Sequence, residues 1–156
     1  MSAVTQPPSA QPTLTGISHI DLTVTDLDRS EAWYRDLFGL QRVLDGRNDE
    51  HHFDSRYLLH PDSLLIVGLV AHDRAEAAGF DEHRVGLDHL SLNVSSAEEL
   101  ARWADRLDDR GIDRSPVVVG DLWDVLVFRD PDNIQLELFH MKPAAAELLT
   151  APPAAS

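Results

Sequence analysis

The sequence predicts an α+β chain made of two copies of one module, each a strand, a helix and three further strands. Three observations carry this. Ile20, Leu22 and Val24 alternate with His19, Asp21 and Thr23, the period-two signature of a strand with one packed face. A short amphipathic stretch ending in Gly39 follows, at helical spacing. The whole pattern then recurs 70 residues later: His89 stands for His19, Leu90, Leu92 and Val94 stand for Ile20, Leu22 and Val24, and Trp103 and Leu107 stand for Trp33 and Leu37.

Residues 1–15 are rich in Pro, Ser, Gln and Thr without periodicity and read as a disordered tail. Module one is expected over about 16–71. Its first strand runs near Ile17 to Val24, Asp26 or Asp28 caps the helix, and Leu27, Tyr34 and Leu37 or Phe38 form the buried stripe. Gly39 is placed to end that helix in the left-handed conformation. Strands are expected near Leu40 to Leu44, Phe53 to Leu59 and Leu64 to Val70, separated by the turn-rich DGRNDE and HPDS. The charged, glycine-broken segment 72–85 links the modules and could lie across a pocket mouth.

Module two is expected over about 86–141. Ser96 with Glu99, or Ser95 with Glu98, fits a capping box, and Leu100, Trp103, Ala104 and Leu107 recur at helical spacing before Gly111. Trp33 and Trp103 read as core residues. Strands follow near Val117 to Val119, Trp123 to Arg129 and Ile134 to Phe139, with a turn at Asp130 to Asn133 joining the last two. Residues 142–156 read as a flexible tail in which Ala144 to Leu149 could form one helical turn.

A chain of 156 residues, 43% of them hydrophobic, fits one globular domain whose modules share a core. There is no cysteine, so disulfides, thiolate metal sites and thiol nucleophiles are excluded, and His, Asp and Glu remain as the strong ligands. A formal charge of −14 opposes binding to nucleic acid and to anionic membranes. No run approaches the roughly 18 apolar residues of a membrane span, and the N-terminus has no basic start or apolar core of a signal peptide. The expected compartment is the cytoplasm.

Within the last strand Gln135, Glu137 and Phe139 share one face and Ile134, Leu136 and Leu138 the other. Glu137 is thus a carboxylate in an otherwise apolar strand, a costly placement unless it is paired. His19, His89 and Glu137 each lie mid-strand, opposite the main apolar face. If the first strands and this last strand line one concave sheet, the three converge on a single cation. A lone strand histidine is more often a hydrogen-bonded structural residue, but its duplication beside a carboxylate favours the metal.

The stretch GISHIDLTVTDLDRSEAWYRDLFGL, with FRDPDNIQLELF from Phe128 to Phe139, closely resembles the vicinal oxygen chelate superfamily. That superfamily includes glyoxalase I, extradiol dioxygenases, fosfomycin-resistance enzymes and bleomycin-binding proteins. The resemblance covers about Gly16 to His140. It implies two βαβββ modules forming a cup of about eight strands in a mixed sheet around a divalent metal, commonly in a homodimer. It also implies metal ligands at His19, His89 and Glu137.

The fourth family position, on the last strand of module one, falls at Gly68, between Val67 and Leu69, none of which can ligate. Glyoxalase I and methylmalonyl-CoA epimerase are similar in having a side-chain ligand there. Two histidines and one carboxylate instead form the facial triad that suits non-haem Fe(II), although Zn, Ni or Mn could occupy the same set. His51, His52, Arg56, Tyr57, His60 and His72 are candidates for an acid or base near the ion, with solvated loop positions as the alternative reading. Extradiol relatives often have an acid/base histidine where this chain has Ser63, fosfomycin-resistance relatives have an Arg- and Tyr-containing tail where it has MKPAAAELL, and carbon–arsenic lyases use paired cysteines. The resulting expectation is an Fe(II) dioxygenase of extradiol type acting on a small molecule. A glyoxalase-type lyase or isomerase, and a metal-free protein that sequesters an antibiotic, are the alternatives.

Overall fold

The computed structural model describes residues 14–75 and 78–150. Most of the expected N-terminal tail therefore lies outside the described residues. Module one contains β1 (Ile20–Thr23), α1 (Leu27–Phe38), β2 (Gln41–Asn48), β3 (Phe53–Leu59) and β4 (Ile66–His72). Module two repeats the order with β5 (Leu90–Asn93), α2 (Ala97–Asp109), β6 (Val118–Val119), β7 (Trp123–Arg129) and β8 (Gln135–Met141). The eight strands form two four-stranded mixed sheets, ordered β1-β4-β3-β2 and β5-β8-β7-β6. In each, the first strand of the module pairs in parallel with its last strand, and the remaining pairs are antiparallel.

The helix ends follow the local chemistry. Asp26 is extended and accepts a hydrogen bond from the Arg29 amide, and Ser96 does the same for Glu99, so each satisfies one orphan amide of the first turn. Gly39 ends α1 at φ 73°, a conformation in which a Cβ would be strained. The segment after residue 141, read as a flexible tail, instead continues into α3 (Pro143–Thr150), longer than the single turn allowed for it. Ala145 is buried, and burying that small residue gives the helix an anchor.

One apolar core serves both modules: Leu22, Val24, Tyr34 and Leu37 from the first meet Leu107, Leu126, Phe128 and Leu136 from the second. Trp33 and Trp103 are only partly buried and pack against its rim. The junction is polar as well as apolar. Thr25 and Arg29 donate to the buried Asp132 carboxylate, at 2.5 and 2.6 Å, and the Tyr34 hydroxyl donates to Asp130 at 3.0 Å. Burial raises both Tyr34 and Asp130 above their ordinary values, so this hydrogen bond joins a neutral phenol to a carboxylate held short of water. A Tyr34→Phe variant should lose about 1–3 kcal/mol by urea denaturation, because the Asp130 oxygen keeps its burial and loses a donor.

The linker is docked. Phe80 donates its amide to the Asp132 carbonyl at 2.8 Å and accepts from the Asn133 side chain at 2.7 Å, while Glu82 meets Arg129 through two hydrogen bonds. Arg129 holds Glu82 at about 2, well below the ordinary 4.5. A depressed carboxylate contributes stability above its unfolded value and loses it as pH falls through the folded one. The stability difference between wild type and Glu82→Gln should therefore be constant above about pH 5 and fade between 4.5 and about 2. Denaturation midpoints across that range measure it. Among the described residues no helix is long and apolar enough to cross a membrane.

Candidate metal centre

Strand β5 begins just after His89, and its parallel register sets Ser91 against Glu137 on β8. The alternation read from the sequence holds: Leu136 and Leu138 are buried and Glu137 points to the other face. Ser91 donates to Glu137 Oε1 at 2.7 Å, which gives the carboxylate one partner without neutralising it. His89 Nε2 stands 3.7 Å from the same oxygen, and its Nδ1 is engaged by Asp88 at 2.5 Å. A carboxylate on Nδ1 leaves the Nε2 lone pair as the free donor, the arrangement that orients a metal-binding imidazole.

Module one holds a second pair of the same kind. His19 Nδ1 is engaged by the Ser18 hydroxyl at 2.8 Å, and its Nε2 faces Asp21 Oδ2 at 3.8 Å. Asp21 is two residues on, within β1, while His19 stands just ahead of that strand. The register pairs it with Gly68, which in turn faces Tyr57 on β3, so Gly68 is the structural counterpart of Glu137. A Cβ on residue 68 would overlap the Asp21 carboxylate, with Cγ at 2.9 Å and Tyr57 Cε1 at 3.0 Å. The Tyr57 ring lies edge-on to His19, 6.0 Å between centroids.

The four side chains lie on open faces: His19, Asp21 and His89 are 46%, 40% and 37% exposed, and Glu137 is 15% exposed. The structure thus brings His89 and Glu137 together and sets His19 beside Asp21. Among the described residues no three such groups stand close enough to share one ion within the chain. His19 and Ser91 line one cleft of about 600 Å³ together with Ile20, His60, Leu90 and Trp103, whereas Asp21 lines a separate pocket with Phe80 and Asp132. The donor chemistry suits a divalent cation. Two donors about 2.1 Å from one ion stand roughly 3 to 3.5 Å apart, close to the spacing of each imidazole–carboxylate pair.

The other candidates disperse. His51 and His52 lie exposed in the β2–β3 turn, His52 at φ 56°, and His72 ends β4 against the Phe53 ring. Arg56 pairs with Asp28 and the buried Glu31, and His60 Nδ1 accepts from the Ser63 amide at 3.1 Å. Of the named acid/base candidates, Tyr57 lies edge-on to His19, and His60 lines the same cleft as His19. Asp21 joins the candidate site through the structure, and its spacing of two from His19 is the one sequence signal for it.

Residues 16–138 match the family model described as the Glyoxalase/Bleomycin resistance protein/Dioxygenase superfamily. A trivalent organoarsenical cleaving enzyme from Bacillus sp. (strain MD1) is 29% identical over 87% of this chain and 80% of its own. Among solved structures, a glyoxylase/bleomycin resistance protein/dioxygenase domain from Frankia sp. EAN1pec superposes with a TM-score of 0.77 at 36% identity, covering 83% of this chain and 100% of that one. The fosfomycin resistance protein FosX from Listeria monocytogenes, complexed with Mn(II) and sulfate, shares the fold with a TM-score of 0.63 at 19% identity, over 86% and 98% of the two chains.

Proposed function

Because the chain belongs to the glyoxalase/bleomycin resistance protein/dioxygenase superfamily, we propose that it is a divalent-metal enzyme in which His19, His89 and Glu137 hold the ion and a small substrate meets it through two oxygens. The observation that carries this reading is the repeated posture of the two histidines. In both, the residue before the histidine engages Nδ1 and leaves Nε2 facing a carboxylate. Structural histidines have no reason to repeat that detail at one register position of two modules.

The two halves of the centre do not meet within one chain, so this reading includes a homodimer in which module one of each copy faces module two of its partner. Val43 and Leu44 on β2, and Val118 and Val119 on β6, leave apolar surface on edge strands, which supports such an assembly. Sedimentation at micromolar concentration should give about twice 17.4 kDa. A monomer that carries a full complement of metal would contradict it.

Bound at this centre, a divalent ion supplies a Lewis acid and, as Fe(II), an electron donor to O₂. The residues supply the rest: Ser91 orients Glu137, Asp88 and Ser18 orient the imidazoles, and Tyr57 places a phenol beside His19 as a proton donor or acceptor. Two oxidised-or-neutral branches remain. The two-histidine, one-carboxylate set favours an extradiol-type Fe(II) dioxygenase, and the Asp21 carboxylate over Gly68 favours a glyoxalase-type lyase or isomerase using Zn, Ni or Mn. The absence of cysteine leaves no thiolate for a soft trivalent arsenic, which favours an oxygen-chelating substrate over an organoarsenical.

Elemental analysis of protein purified without oxygen tests the common core of the reading, with one ion per chain expected. Screening catechols and α-hydroxycarbonyl compounds then separates the branches. O₂ uptake that needs both Fe(II) and a chelating substrate supports the dioxygenase, and anaerobic turnover with Zn(II) or Ni(II) supports the lyase or isomerase. Protein that binds none of these ions, yet retains an aromatic antibiotic, would overturn both in favour of a sequestering protein.

A further inference from the structure

We propose that Asp21 is a fourth protein ligand of the metal centre, supplying from β1 the carboxylate that Gly68 cannot supply from β4. The inference rests on the metal-centre reading above and decides between its branches.

The two modules share a symmetry that the sequence repeat conceals. In module two the cross-strand pair is Ser91 on β5 and Glu137 on β8, a small residue on the first strand and a carboxylate on the last. In module one the corresponding pair is Asp21 on β1 and Gly68 on β4, with the sizes exchanged. Yet the carboxylate reaches an equivalent place: Oδ2 of Asp21 is 3.8 Å from His19 Nε2, and Oε1 of Glu137 is 3.7 Å from His89 Nε2. Gly68 makes room for it, since a Cβ there would collide with the Asp21 carboxylate. Gly68 is not among the glycines at positive φ, so neither a turn nor a left-handed backbone accounts for it. It lies mid-strand, where glycine weakens a sheet and marks a close approach of another group. Here that group is Asp21. The histidine stands just ahead of β1 and the aspartate two residues on within it, with their side chains 3.8 Å apart.

Two histidines and two carboxylates give a hard, doubly anionic donor set. On a six-coordinate ion they would leave two positions, enough for a substrate that binds through two oxygens and none beyond it for O₂. Asp21 as a ligand therefore assigns the protein to redox-neutral proton-transfer chemistry on a carbonyl or enol substrate.

The test uses Mn(II) as the probe on the full chain, with affinity by calorimetry and the number of exchangeable waters on the ion by water-proton relaxation. Asp21 is solvent-exposed and outside the core, so Asp21→Ser should fold. It should weaken Mn(II) by more than about a hundredfold, beyond what a residue that only orients a ligand would cost, and add one exchangeable water. The double variant Asp21→Ser with Gly68→Glu rebuilds the module-two arrangement, needing only that the Tyr57 ring, 3.0 Å from the new Cβ, give way by a few tenths of an ångström. It should return both affinity and water number towards wild type. If Asp21→Ser leaves the affinity and water number unchanged while Glu137→Gln abolishes binding, Asp21 is no ligand and the three-ligand centre stands. If neither variant weakens Mn(II), the metal-centre reading fails with it.

Discussion

Replacing Glu137 with glutamine is expected to leave a folded protein that has lost nearly all affinity for a divalent ion. The amide keeps the shape and can still accept from Ser91, so the β5–β8 pairing around it is undisturbed. It removes the one negative charge beside His89 Nε2 and offers a neutral, weakly donating oxygen in its place. Residues that merely orient a ligand cost about 10–100-fold in affinity when changed, so loss of a ligand itself should exceed a hundredfold. Calorimetry with Mn(II), beside a thermal melt without metal, separates the two effects. Unchanged affinity would remove Glu137 from the centre, and a collapsed melting temperature would make it a structural residue.

The largest effect on stability is expected from Phe128→Ala. Phe128 is 2% exposed on β7, packs near Trp33 and Phe38 of the other module, and pairs with Leu136 across the sheet. Truncating a buried phenylalanine costs about 3–5 kcal/mol, a large part of what a domain of this size possesses. Since the cavity opens where both modules meet, unfolding should stay a single transition at lower urea, with the fluorescence of Trp33 and Trp103 changing together. Two separated transitions would show that the modules fold independently of their shared core.

Much of the fold was legible because duplication and alternation are written locally. The histidine strand, the caps at Asp26 and Ser96, the stop at Gly39 and the turn at Asp130 to Asn133 all follow from residues close in sequence. The division of the eight strands into two separate sheets was not, because it depends on how the modules lie against each other. Nor was the docking of the linker through Phe80, which no periodicity announces. The site was half legible. His19, His89 and Glu137 stand out as polar groups opposite apolar strand positions, although the two histidines stand just ahead of β1 and β5 and not mid-strand as expected, whereas Asp21 looks like an ordinary exposed aspartate. Its significance comes from register, from the pairing with Gly68 some forty-seven residues away, and single-strand patterns do not carry register between strands.

That same parallel pairing sets a timetable for synthesis. Ile20 bonds across to Val67 and Leu90 to Leu136, so each histidine strand leaves the ribosome long before the strand that will hold it. At about 5–20 residues per second the wait is roughly 2 to 10 seconds. Throughout it, an extended segment with Leu22 and Val24 on one side is an open template for any other strand edge. The other side carries His19, Asp21 and Thr23. The one carboxylate there, Asp21, opposes edge-to-edge association. Asp21, proposed to hold the ion in the finished protein, would on the way there act as a gatekeeper against aggregation.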